Sequence, residues 1–276
     1  MVNRFKASVK ARSRVPKHRK VLWYFAKAPN LSAKLSVIKF FFKRILKDIG
    51  LPVRTDDKLT VNIGELTIHF VPFWRELVHY QEIFIDKVYG QHPSFLPSEC
   101  RIIVDCGANI GLYTMHTAQN GDAKIYAFEP NPSVYGRLKK NIERNGLYNV
   151  SAYQMAIGAV RGKSKLYWDS STLSGKVSEN SNEGNNFAEI EITTLDHICT
   201  EHEVPFIDLL KLDVEGKEYE ALKGGRQTLK TTKRLVMEYH NDEVRKKCEP
   251  FLKEIGFNKI NEIPGHQYYI NSNIGV

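Results

Sequence analysis

Four carboxylates occupy one kind of position in this chain. Asp105 closes the run Ile102-Ile103-Val104, Glu129 closes Lys124–Phe128, Asp213 closes Ile207–Leu212, and Glu238 closes a run that starts near Arg234. Short apolar, β-branched runs bounded by turn residues read as buried strands. Open sheets of parallel strands take their ligands outside the carboxyl ends of those strands. Any one of these acids is equally well a helix cap or a salt-bridge partner. As a set at four strand exits they point to a site that handles hydroxyls, cations or protons. A carboxylate can accept from a ribose, hold a cationic group or, with its pKa raised in a part-dry pocket, take a proton.

The first exit leads through Cys106-Gly107-Ala108-Asn109-Ile110-Gly111 into a helical stretch from about Leu112. Glycines let the backbone approach a ligand closely, and a helix start offers unpaired N–H groups. The loop is not the dinucleotide fingerprint G-x-G-x-x-G, because its third position is Asn109. Asp105 would also repel a pyrophosphate, whereas it suits a cationic group such as the amino group of S-adenosylmethionine. Glu129 follows Gly111 by 18 positions and can accept from both ribose hydroxyls of a nucleoside cofactor. That geometry serves NAD and S-adenosylmethionine alike; the loop favours the latter.

The stretch LLKLDVEGKEYEALKGG (209–225) gathers Lys211, Asp213, Glu215 and Glu218. Buried charges need partners, so Lys211 is expected to pair with one of these acids. Asp213 and Glu215 are candidate general bases, and His240, after VMEY at the fifth strand exit, is a third. A lone histidine in such a place is as often structural as catalytic. Asp/Glu/His ligation of a metal lacks any strong ligand spacing, and no metal is expected.

These residues need a scaffold of alternating strands and helices, and residues 101–271 supply it. Helices are expected from about Pro132 to Asn145 and over 195–202, 217–223 and 242–255, the last stopping at Gly256. A third strand is expected over about 151–157, a two-strand excursion over 163–168 and 189–194, and closing strands near 257–262 and 267–271. Repeated β-α-β units imply a mostly parallel sheet with helices on both faces. Asp169–Asn186, rich in Ser, Asn, Gly and Glu, reads as a mobile loop or lid. Residues 59–70 read as a hairpin and 76–89 as a covering helix. The expected domains are a basic segment with an amphipathic helix (1–58), hairpin and helix (59–98), and the cofactor-binding domain (99–276).

The net charge of +9 is unevenly spread. Residues 1–50 hold 14 Lys/Arg and one acid, while the remainder holds 26 bases and 30 acids. A mildly acidic body argues against nucleic acid as the main substrate of its central site. Residues 34–49 place Leu35, Ile38, Phe41, Phe42, Ile45, Leu46 and Ile49 at helical spacing, with Lys39, Lys43 and Lys47 opposite. Such a helix either packs on its own domain or lies on an anionic membrane. No apolar run approaches the roughly 20 residues that span a bilayer. The four cysteines form no metal spacing and fit a reducing compartment. The expected location is cytoplasmic, with peripheral contact at the inner membrane face.

DCGANIGLYT, AFEPNPSVYGRLKKNI, the AIG of 156–158, TTLD (193–196), IDLLKLDVEGKEYEALKGG and VMEYH occur in that order over about residues 100–257. Together they resemble the FkbM-type methyltransferases, class I S-adenosylmethionine-dependent O-methyltransferases. The family has Val where this chain has Cys106. The resemblance implies a Rossmann-like seven-stranded sheet and methylation of a hydroxyl, commonly on a sugar or a polyketide-type molecule. It implies cofactor contacts at Gly107, Asn109, Gly111, Glu129 and Asp213. Asp105 and Ala156 complete the expected cofactor set. The expected acceptor is a hydroxyl-bearing carbohydrate, contacted by the 169–187 loop and the N-terminal segment. The alternatives are an RNA methyltransferase and a membrane-associated module that keeps the fold without activity. Base-amino methylation typically uses Asn/Asp-Pro-Pro-aromatic after the fourth strand, where this chain has Asp213-Val214-Glu215-Gly216, and an oxidoreductase would need the missing fingerprint.

Overall fold

The computed structural model describes residues 31–52, 59–63, 65–70, 74–168, 176–177 and 186–274. They belong to two compact units, Met1–Ile85 and Asp86–Val276. In the first unit, helix α1 (Leu31–Asp48) precedes an antiparallel hairpin of β1 (Leu59–Ile63) and β2 (Leu66–Phe70), followed by helix α2 (Trp74–Tyr80). The apolar stripe of α1 divides: Phe41 is buried, whereas Leu35, Ile38, Phe42, Ile45 and Ile49 are exposed. Helix α2 widens into a π-turn over Gln81–Ile85, so the helix expected to reach residue 89 ends early. No helix among the described residues is long and apolar enough to cross a membrane.

The second unit is built on a seven-stranded sheet. Its strands are β3 (Ile102–Cys106), β4 (Lys124–Phe128), β5 (Val150–Tyr153), β10 (Ile207–Leu212), β11 (Thr232–Glu238), β12 (Phe257–Ile263) and β13 (His266–Asn271), in the spatial order β12-β13-β11-β10-β3-β4-β5. All pairings are parallel except those of β13 with β11 and β12. The helices are α3 (Leu112–Gln119), α4 (Pro132–Arg144), α5 (Leu195–Glu201), α6 (Glu218–Lys223) and α7 (Asp242–Ile255). Successive strand residues face opposite sides. Val104, Cys106, Tyr126, Phe128, Leu210 and Leu212 therefore share one core with Leu195, Ile198, Ala221, Leu222, Cys248 and Leu252 of α5, α6 and α7. Ala127 faces the other way, onto Leu138 and Ile142 of α4.

From β3 the chain runs outward to β4 and β5, then returns to the other side of β3 with β10. The strand order thus switches between β3 and β10, where a crevice opens in such sheets. Asp208 sets the register there: its carboxylate accepts from Arg101 N at 2.8 Å and Ile102 N at 3.0 Å, and pairs with Lys233 at 2.9 Å.

The strand expected over 151–157 is broken at Gln154. Residues 155–157 form β6, which leaves the main sheet and joins β7 (Gly162–Trp168), β8 (Lys176–Val177) and β9 (Asn186–Thr193) in a second sheet of order β6-β9-β7-β8. Apart from β8 and Asn186, the expected lid over 169–186 lies outside the described residues, as do residues 1–30 of the basic segment.

Candidate active site

The loop after β3 is shaped by close contact with the exit of β10. Gly107 has φ +83°, and a Cβ there would sit 1.7 Å from the Asp213 carbonyl oxygen. Glycine is thus required both by conformation and by space. Asn109, also left-handed at φ 52°, turns its own amide oxygen onto Ile110 N at 2.7 Å. Its N–H donates to Glu129 Oε2 at 3.0 Å. Gly111 starts α3.

Glu129 is buried at the exit of β4. Its Oε1 accepts from Asn131 N at 2.8 Å, and Asn131 in turn caps α4 through Ser133 N and Val134 N, with Pro132 in the first turn. Burial pushes the Glu129 carboxyl up to about 7 against these N–H donors. Each oxygen takes one backbone donor and keeps acceptor capacity for a second. The residues therefore fit the ribose of S-adenosylmethionine, with Gly107, Asn109 and Gly111 framing the loop beside it.

Asp105 departs from expectation. It is fully buried, with Oδ1 accepting from Lys211 Nζ at 3.0 Å and Oδ2 from the Thr114 hydroxyl at 2.6 Å. Parallel register puts Asp105 directly beside Lys211, so its charge is answered inside the protein rather than offered to a ligand. Lys211 also donates to Gly107 O at 2.9 Å and lies 3.6 Å from Asp213 Oδ2. Burial pulls its ammonium down, but Asp105 and Asp213 outweigh that and hold it above its ordinary value.

Ala156 lies at the start of the second sheet, in β6. Its side chain packs with Leu166, Ile190 and Ile192 in a small core of the second sheet. The neighbouring motifs serve the same junction. A Cβ on Gly224 would meet Gly158 O at 2.0 Å, Asp196 N donates to Gly224 O at 3.0 Å, and the Asp196 carboxylate accepts from Gln227 N and Thr228 N.

The three candidate bases do converge. His240 Nε2 lies 3.3 Å from Glu215 Oε2 and 3.8 Å from Asp213 Oδ1, while Nδ1 lies 3.2 Å from Glu218 Oε1. Burial lowers the imidazole, but Glu218, Asp213, Glu238 and Glu215 raise it to about 9. Asp213 is pushed up by burial and by Glu238; Glu238, despite burial, is held down by His266 and His240.

Tyr89 was silent in the sequence. Its hydroxyl lies 3.2 Å from Asp213 Oδ2 and 3.0 Å from Glu238 Oε2, and the turn that carries it is held by the Tyr268 hydroxyl donating to Val88 O. His266, 3.5 Å from Glu238, was equally silent. Neither sits in a periodic pattern or beside a motif that would have marked it.

The Methyltransferase FkbM domain matches residues 105–262. The chain is 31% identical over 211 residues to Methyltransferase sdnD of Sordaria araneosa, covering 64% of this chain and 80% of that protein. It is 27% identical to 2-O-methyltransferase NoeI of Sinorhizobium fredii, covering 57% and 71%, and 28% identical to Hexuronic acid methyltransferase AglP of Haloferax volcanii, covering 50% and 56%. Among solved structures it is similar to M. jannaschii TYW2 in complex with AdoMet, at 14% identity and a TM-score of 0.43, covering 80% of this chain and 86% of that one. With a Gly107 loop seated against β10 and a family match over more than half its length, the chain belongs to the FkbM methyltransferases, and its cofactor is S-adenosylmethionine.

Proposed function

We propose that this methyltransferase acts on a hydroxyl oxygen of a sugar, glycan or glycolipid-like acceptor. The observation that carries the reading is the convergence of Asp213, Glu215 and His240 at the exit of β10, against the loop that frames the cofactor. S-adenosylmethionine supplies a methyl group made electrophilic by its sulfonium. The chain's own residues align the acceptor oxygen and take up its proton. Glu129 holds the ribose, and Lys211 fixes the Gly107 loop to Asp213. A carboxylate of the Asp213–Glu215–His240 cluster receives the hydroxyl proton. A carbohydrate acceptor is supported by relatives whose names state 2-O-methylation and hexuronic acid methylation.

Transfer of a radiolabelled methyl group to a panel of hexuronic acids, neutral glycosides, glycolipids and RNA tests this. Label is expected in the carbohydrates, with Asp213→Asn slower by about 10²–10⁴-fold. Label confined to RNA, or an unimpaired Asp213→Asn variant, refutes it.

The exposed Leu35, Ile38, Phe42, Ile45 and Ile49 of α1, in a segment with 14 bases and one acid, support contact with an anionic membrane surface. Flotation with anionic vesicles should weaken sharply when residues 1–50 are removed; equal flotation of both forms removes this part of the reading.

A further inference from the structure

We infer that Asp213, Glu238 and His240 form a binding site for a divalent cation, which receives two adjacent oxygens of the acceptor. The acceptor half of this inference rests on the O-methyl transfer proposed above; the cation half rests on the geometry of the side chains.

One ligand atom from each of the three residues lies within 4.8 Å of the others. His240 Nε2 is 3.8 Å from Asp213 Oδ1 and 4.0 Å from Glu238 Oε1. With the third side no longer than 4.8 Å, the centre of the triangle lies within about 2.5 Å of each corner, in the range of metal–oxygen bonds to a divalent cation. Two carboxylates and one imidazole suit Mn²⁺ or a similar divalent ion.

Each ligand is oriented by a partner behind it. The Tyr89 hydroxyl engages Asp213 Oδ2 and Glu238 Oε2, which leaves Oδ1 and Oε1 facing the imidazole. Lys211 lies 3.6 Å from Asp213 Oδ2 and His266 lies 3.5 Å from Glu238 Oε2. Glu218 Oε1 faces His240 Nδ1 at 3.2 Å, so the ring donates from Nδ1, and Nε2, which faces both carboxylates, is the nitrogen a cation takes by displacing its proton. A carboxylate behind the far nitrogen is the arrangement that fixes metal-ligating histidines.

Glu218 supplies an independent sign. Its side chain is 0% exposed, it accepts Gly216 N at 2.9 Å, and its Oε2 has no hydrogen-bond partner among the described residues. A buried carboxylate with an orphaned oxygen costs free energy; its other oxygen, Oε1, faces the imidazole of the proposed site. Charge points the same way. Lys211, shared between Asp105 and Asp213, and His266 beside Glu238 answer part of this charge, and Asp213, Glu215, Glu218 and Glu238 all lie within 4.0 Å of His240. Three protein ligands leave coordination positions open, and a vicinal diol, or a hydroxyl beside a carboxylate as in a hexuronic acid, fills two of them.

The test is Mn²⁺ titration of the full chain without donor or acceptor, with free Mn²⁺ read by electron paramagnetic resonance. One site is expected. His240→Ala and Glu238→Gln should abolish it, Glu218→Gln should weaken it about 10–100-fold, and Glu254→Gln, at the exposed Arg226 pair, should leave it unchanged. S-adenosylhomocysteine affinity of each variant, measured by calorimetry, reports an intact fold. Absence of Mn²⁺ binding, or binding unchanged in both His240→Ala and Glu238→Gln, overturns the cation site. Methyl transfer that persists under chelation without Mn²⁺ binding does so too, while leaving O-methylation standing. Mn²⁺ binding without transfer to any hydroxyl upholds the cation site and overturns the acceptor reading. Equal rates on a vicinal diol and a simple alcohol overturn the two-oxygen half.

Discussion

Replacing Lys211 by Met tests how the sheet is tied to the cofactor loop. Lys211 is 3% exposed and Asp105 0%, with 3.0 Å between their charges. The variant keeps most of the aliphatic volume but leaves Asp105 buried, with only the Thr114 hydroxyl to answer it. Removing one member of a buried pair costs about 3–5 kcal/mol. At roughly 2–4 °C per kcal/mol for a unit of this size, the melting temperature should fall by about 6–20 °C. Urea unfolding followed by circular dichroism gives the free energy directly. The double variant Lys211→Met/Asp105→Asn removes the stranded charge, keeps an acceptor for Thr114, and should regain about 2 kcal/mol or more. Lys211 also holds Gly107 O and approaches Asp213, so S-adenosylhomocysteine affinity should fall in both variants. A loss below about 1 kcal/mol in the single variant, or no recovery in the double, would show that the pair is not what answers the buried carboxylate.

Two further outcomes follow from the same loops. Gly107→Ala puts a Cβ onto the Asp213 carbonyl, which forces the two strand exits apart by more than about 1 Å and should cost about 10²-fold in turnover; kinetics within twofold of the parent would contradict the close approach. Glu129 is raised by burial to about 7, and ribose hydroxyls favour its ionised form, so cofactor affinity should rise between pH 6 and 8 in calorimetry and lose much of that slope in Glu129→Gln. Folding stability runs the other way. An acid whose folded value exceeds its unfolded value of 4.5 contributes stability that is complete below about 4.5 and is lost as pH rises through about 7.

The site was legible where chemistry sits at the end of a regular element. The acids at 105, 129, 213 and 238 follow apolar runs, and the helix caps at Asn131 and Gly256 follow local rules. The β6 excursion was not legible, because Ser151–Ile157 contains no Gly, Pro or charged residue to report the change of sheet at Gln154. The packing of the Ala156 side chain with Leu166 and Ile190 was not legible either, because both partners arrive from strands of that second sheet.

The sequence by itself determined the order of strands and helices, the glycine loop, and which side of each strand is apolar. These are encoded by periods of 2 and 3.6 residues and by single-residue conformational limits. Tertiary structure decided which charges meet. Asp105 and Lys211 are 106 positions apart, and Tyr89 is 124 from Asp213 and 149 from Glu238. Periodicity tells a residue which way to face, but only strand order and register choose its neighbour. Asp105 was therefore spent inside the sheet, while Asp213 and Glu238 were brought to His240.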